Sequence, residues 1–164
     1  MKLFNKVILG SAFLFSSLAG AHEFNSGQLN IDHPWSKQVP PSSSVAAAFF
    51  EITNQGNEQD MLIRAESPIA GKTELHAHIH EDGMMKMREV KEITIPANGS
   101  QMLKPGGYHI MFFDLQTIPE LGERFPLTLH FAKAGRVEVE VTVEPATYIP
   151  EGMKRADATH SKHH

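Results

Sequence analysis

Alternation of apolar and polar residues at every second position is the feature that most limits what this chain can fold into. It is cleanest near the C-terminus, where Val137, Val139, Val141 and Val143 alternate with Glu138, Glu140, Thr142 and Glu144. A strand sends successive side chains to opposite faces, so this segment has one face for a core and one for water. Strand-like segments lie at 28–31, 46–53, 61–65, 73–80, 84–90, 93–95, 100–103, 108–115, 125–131 and 136–143. Turn residues separate them, among them Asn54-Gln55-Gly56-Asn57, Asp82-Gly83, Pro96-Ala97-Asn98-Gly99, Pro105-Gly106-Gly107 and Ala134-Gly135. No window sustains a 3.6-residue apolar period over a helical length. The expectation is an all-β domain, an antiparallel sandwich or barrel with Greek-key connections.

The two ends of the chain read differently. Lys2 and Lys6 precede an apolar stretch at 7–18 and the small residues Ala19, Gly20 and Ala21, the layout of a secretory signal peptide cleaved after Ala21. Only 15 residues separate Lys6 from His22, several of them Ser or Gly. A membrane span needs about 20 apolar residues, so an exported protein that is not membrane-embedded is expected. No Cys lies near the cleavage point, and a lipid anchor is not indicated. Residues 22–30 are polar and read as a flexible mature N-terminus, 31–145 as the folded domain, and 146–164 as a tail carrying Met153, His160, His163 and His164.

Losing Lys2 and Lys6 with residues 1–21 leaves 13 basic against 19 acidic residues, a formal charge of −6. Nucleic acid and anionic membrane surfaces are poor partners for such a chain. The absence of Cys removes disulfides, blue-copper centres, Cys-based zinc sites and redox dithiols from consideration.

Chemistry concentrates in 36 residues, from His76 to Met111. Strand alternation puts His76, His78 and His80 on one face and Leu75, Ala77 and Ile79 on the other. Met84, Met85 and Met87 follow, and His109 and Met111 share a face opposite Ile110 and Phe112. Thioether sulfur is a soft neutral ligand and imidazole a borderline one; together they suit copper(I), whereas calcium and magnesium favour carboxylates. If Asp82-Gly83 forms a two-residue type I′ turn, His80 opposes Met85 and His78 opposes Met87. Met61 and Met102, each alone in its strand, read as core fillers. His130 reads as a surface or hydrogen-bonded histidine.

The spacing His76, ten residues, Met87, twenty-one residues, His109, one residue, Met111 resembles that of the periplasmic copper chaperone family PCu(A)C. The surrounding residues resemble it too: His33-Pro34-Trp35, Val45-Ala46-Ala47-Ala48-Phe49-Phe50, Glu74-Leu75-His76, Met85-Lys86-Met87-Arg88 and Pro105-Gly106-Gly107-Tyr108-His109-Ile110-Met111. The resemblance covers about 31–143. It implies a cupredoxin-like Greek-key antiparallel β-sandwich in the periplasm, binding one Cu(I) through His76, Met87, His109 and Met111. It also implies a non-enzymatic carrier that delivers copper to the copper A centre of a respiratory cytochrome oxidase, on the copper-bearing subunit itself or through a thiol-containing assembly partner.

His78, His80 and Met85 exceed the family pattern and are candidate auxiliary ligands; His78 competes with His76 as the working one. Met153, His160, His163 and His164 resemble Met/His-rich extensions of some family members and are a candidate Cu(II) site, against the plainer account of a polar tail. His22, if it becomes the amino terminus, could chelate copper(II) through its amine and ring as in copper oxygenases. Three other readings stand beside the carrier: a periplasmic zinc or copper(II) buffer that uses the His cluster and tail, a copper oxygenase that uses His22 as an amino-terminal clamp, and a metal-free interaction domain.

Overall fold

The computed structural model describes residues 23–154, and the proposed signal peptide, His22, His160, His163 and His164 lie outside them. Eleven strands form in chain order: β1 (Glu23–Ser26), β2 (Leu29–Lys37), β3 (Val45–Asn54), β4 (Asp60–Glu66), β5 (Ala70–Glu81), β6 (Met84–Glu89), β7 (Ile93–Ile95), β8 (Gly99–Leu103), β9 (His109–Leu115), β10 (Arg124–Phe131) and β11 (Gly135–Glu144). Ten of them fall where alternation and turn residues place strands.

The hydrogen-bonded path runs β6-β5-β9-β3-β2-β11-β10-β4-β7, with β1 added beside β2 and β8 beside β3. The path folds over on itself, so that β4 packs across β5 and β7 across β8. Leu75, Ile110, Phe112, Ala46, Ala48 and Phe50 face inward from one layer. Leu62, Ile93, Ile95, Leu127, Leu129 and the β11 valines meet them from the other. Phe112 and Phe125 cross between layers edge to face, with ring centroids 5.5 Å apart. The result is the β-sandwich expected from the sequence, with its apolar alternate positions in the core and β6 and β7 at the two ends of the path.

The bend that joins the layers lies in β2. His33 has a φ of 43°, and pairing with β3 slips between Asp32 and Trp35. Two residues, His33 and Pro34, stand opposite Phe50 alone, which is a bulge. Pro34 suits such a position because it has no N–H to contribute to a ladder. Beyond the bulge, Trp35, Ser36 and Lys37 pair with Thr142, Val143 and Glu144 of β11 in parallel. This one parallel ladder departs from the all-antiparallel expectation, since alternation reports which face is buried and not the direction of the neighbouring strand.

Three other expectations change. Within the segment 22–30, expected to be flexible, Glu23–Ser26 forms β1, paired through Ser26↔Leu29 to Glu23↔Asp32, and β2 already begins at Leu29. The Gly27 turn, at φ 59°, closes this hairpin. The tail read as 146–164 begins by packing on the domain. Tyr148 lies edge-on to Trp35 at 5.0 Å, its hydroxyl is 2.9 Å from His33 Nε2, and a helical turn occupies 151–154. Met61 and Met102 are not core fillers: they sit on outward-facing positions, Met102 opposite Glu51 with 37% of its surface exposed. His130 is hydrogen-bonded as expected, its Nε2 3.2 Å from Glu66 Oε1 and 3.1 Å from Arg64.

Phe112 carries the packing directly behind Met111, and removing a buried phenyl ring costs about 3–5 kcal/mol. The Phe112→Ala protein should therefore lose stability on that scale in equilibrium urea unfolding. A loss below about 1 kcal/mol would show that this ring does not bridge the layers.

Candidate metal centre

The β5–β6 hairpin turns through Asp82 and Gly83, whose φ angles are 53° and 75°. Positive φ at both central residues is the type I′ turn that matches strand twist. The expected register follows: His78↔Met87 and His80↔Met85 are cross-strand partners, and His76 faces Glu89. On the other side of β5, His76 faces His109 and Glu74 faces Met111. Directly opposed residues share a face, so His76, His78, His80, Met85, Met87, His109 and Met111 lie on one outer face of β6, β5 and β9. Ala47 continues that face on β3 as the partner of Met111.

The row grades from water to protein. Met85 and Met87 are exposed at 54% and 43%, whereas His76 and His109 are 8% and 2% exposed. Burial comes from aromatic neighbours on the same face. Phe113 lies 5.6 Å from the His76 ring, Phe49 lies 6.2 Å from the His109 ring, and Trp35 stacks behind Phe49 at 4.7 Å. The His33-Pro34-Trp35 stretch thus supports the site from behind and supplies no donor to it.

Each inner imidazole is oriented through one nitrogen. His109 Nδ1 donates to the Gly107 carbonyl at 3.0 Å, which leaves Nε2 as the bare acceptor. The same carbonyl accepts the backbone N–H of His78 at 3.3 Å, tying the loop before β9 to β5. Burial holds the His109 pKa below the ordinary histidine value, with the Gly107 hydrogen bond opposing and His78 and His76 adding to the shift. Burial thus favours the neutral imidazole, the form in which its lone pair is free to bind a metal.

His76 is oriented by Glu74, whose Oε2 lies 2.7 Å from Nε2. Lys72 also grips Glu74, at 2.8 Å, and together Lys72 and then His76 hold this carboxyl below the usual carboxylate range. A carboxylate behind a ligating histidine fixes its tautomer and raises its basicity. Glu74 was not singled out from sequence as part of the site, although its place two residues before His76 puts it on the donor face by the same period of two.

Three buried ring nitrogens have no hydrogen-bond partner: His76 Nδ1, His78 Nδ1 and His109 Nε2. The rings carrying them are close, His76 to His109 at 5.8 Å between centroids and His78 to His109 at 5.3 Å. Buried polar atoms are nearly always satisfied, so these three neighbouring rings each keep a nitrogen available to a ligand. Among the described residues no group of three or more His, Asp and Glu could by itself hold a metal ion, so a site here needs the thioethers. Met87 stands directly across from His78 and diagonally from His76, at about 5 and 7–8 Å respectively for such pairs. Met87 is thus a register neighbour of both histidines, and the register alone leaves the choice between them open. Met153 is not in this row: it lines surface depressions with Trp35, Met102, Lys104 and Pro105.

The model of the LpqE-like lipoprotein family matches residues 29–143, from the start of β2 into β11. A relative in Leifsonia xyli subsp. xyli, named "Putative lipoprotein Lxx21020", is 30% identical over 127 residues, 77% of this chain and 75% of the relative. Among solved structures, the copper-bound PCuAC domain from PmoF2 superposes with a TM-score of 0.65 at 25% identity, over 76% of this chain and 98% of that domain. The solution structure of CuI-DR1885 from Deinococcus radiodurans gives 0.60 at 29% identity, over 80% of this chain and 87% of that one. The chain thus belongs to the LpqE-like family, and its domain has the fold of PCuAC domains.

Proposed function

We propose that this protein is an exported, non-enzymatic copper(I) carrier that holds one ion through Met87, Met111, His109 and His76, with His78 as the competing imidazole. The observation that carries the reading is the set of unpartnered ring nitrogens beside a row of thioethers on a single β face. The similarity to copper-bound structures supports the same metal. Thioethers do not titrate and do not form disulfides, so such a site holds monovalent copper where thiols would be oxidised. Release would proceed by ligand exchange, with an incoming donor entering from the exposed Met87 side before the buried imidazoles let go.

The recipient we favour is the copper A centre of a respiratory cytochrome oxidase, reached on its copper-bearing subunit or through a thiol-containing assembly partner. That proposal extends the resemblance of the His76-to-Met111 spacing, and transfer of copper between the purified partners would test it. The alternative reading is a zinc or copper(II) buffer that uses the His cluster with the His-rich tail; among the described residues the imidazoles alone make no group of three that could hold an ion, which favours the carrier.

Replacing Met by Leu nearly conserves volume and costs under about 1.5 kcal/mol, so the fold should survive in a Met87→Leu, Met111→Leu double variant. Competitive titration against a chromogenic copper(I) chelator should show one tightly held ion in the parent protein. The double variant should lose affinity by more than about tenfold, the scale on which even supporting groups act. Equal binding by the two proteins would assign the site to histidine alone and favour the buffering reading. Glu74→Leu should weaken copper(I) binding by about 10–100-fold while every proposed ligand remains, because His76 loses the carboxylate that orients it. An unchanged affinity would show that Glu74 serves only its ion pair with Lys72.

A further inference from the structure

The β5–β6 hairpin extends beyond the core. At its tip Ile79, Met84 and Met85 are 39%, 59% and 54% exposed, on both faces of the ribbon. Packing therefore gives no reason for soft donors there. The donor face nevertheless continues outward as two successive His–Met cross-strand pairs, His78↔Met87 and then His80↔Met85. In the outer pair His80 Nδ1 is hydrogen-bonded to Met85 Sδ at 2.9 Å, which sets the two donor atoms side by side; a small ion would take the place of that hydrogen. The two cations nearest the tip are turned away. Lys86 and Arg88 belong to the opposite face, where both bind Glu81 Oε2, at 3.0 and 2.8 Å.

We propose that His80 and Met85 form a second, exposed copper(I) site through which the ion enters and leaves the inner centre. This inference rests on the copper-carrier reading above and deepens it. One imidazole and one thioether give a low-coordinate site of the softness copper(I) accepts, weaker than the inner centre because it has fewer donors and more water around it. Successive same-face positions on a strand are about 6.6–6.8 Å apart, so His78 and Met87 lie one step inward and bridge to His109. Copper passes by gaining a new neutral donor before losing an old one. It stays monovalent throughout, and the thioether steps take up and release no proton.

The test follows the methionine methyl resonances of the purified protein during anaerobic titration with copper(I), in the parent chain and in a His80→Ala, Met85→Leu variant. In the parent the first equivalent should shift the Met87 and Met111 methyls, and the second should shift Met85. The variant should keep the first event and lose the second equivalent. A Met85 methyl unmoved by excess copper(I), or a variant that takes up the second equivalent like the parent, overturns the outer site and leaves the inner one standing. If the first equivalent leaves Met87 and Met111 unmoved, the carrier reading falls and the outer site falls with it.

Discussion

Register along β5 is the constraint on which the metal-binding face depends. This strand pairs with β6 on one side and β9 on the other, and all seven proposed inner and hairpin donors lie on these three strands. Because side chains alternate with a period of two, a slip of one residue against either neighbour would turn a whole set of donors to the other face. The turn at Asp82 and Gly83 fixes the first alignment, since both residues sit in the left-handed region that a type I′ turn requires. Burial of Leu75 and Ala77 beside Ile110 fixes the second, because a slip would carry them out of the core and the histidines into it.

Stability and binding are opposed at this face. An unsatisfied buried polar atom costs about 1–3 kcal/mol, and His76, His78 and His109 each present one. The aromatic layer of Phe113, Phe49 and Trp35 excludes water from the inner imidazoles and so maintains that cost in the free protein. The hydrophobic cluster in the sandwich behind it offsets that cost. An ion bound to those nitrogens removes the penalty, so binding and folding are coupled through the same atoms.

Much of this was legible in the sequence because it depends on periods and turns. The alternation of β11, the positions of ten strands, and the pairing of His78 with Met87 across Asp82-Gly83 all follow from local rules. What escaped depends on neighbours far along the chain. The parallel partnership of β2 with β11 leaves no trace in alternation. The packing of Tyr148 on Trp35 joins residues more than a hundred positions apart. Residues 23–26 look like polar linker, yet they pair because the Gly27 turn brings them back along β2. Glu74 was missed for another reason: a carboxylate on a strand face is ordinarily a solubility residue, and only its 2.7 Å approach to His76 gives it a further role. Met102 and Met61 show the converse, since an isolated apolar residue in a strand does not announce which layer covers it.

The parallel ladder between β2 and β11 also governs how this domain would answer a pulling force. β2 lies near one end of the described chain and β11 near the other, and Trp35, Ser36 and Lys37 run alongside Thr142, Val143 and Glu144 in the same direction. Tension between the ends would peel β1 from β2 one hydrogen bond at a time, because that pair is a hairpin opened from its free end. The β2–β11 bonds would instead be loaded in shear, all sharing the strain at once. The molecule thus has a soft extension at its start and a mechanical clamp at its centre, and the face bearing His76 and His109 lies on the protected side of that clamp.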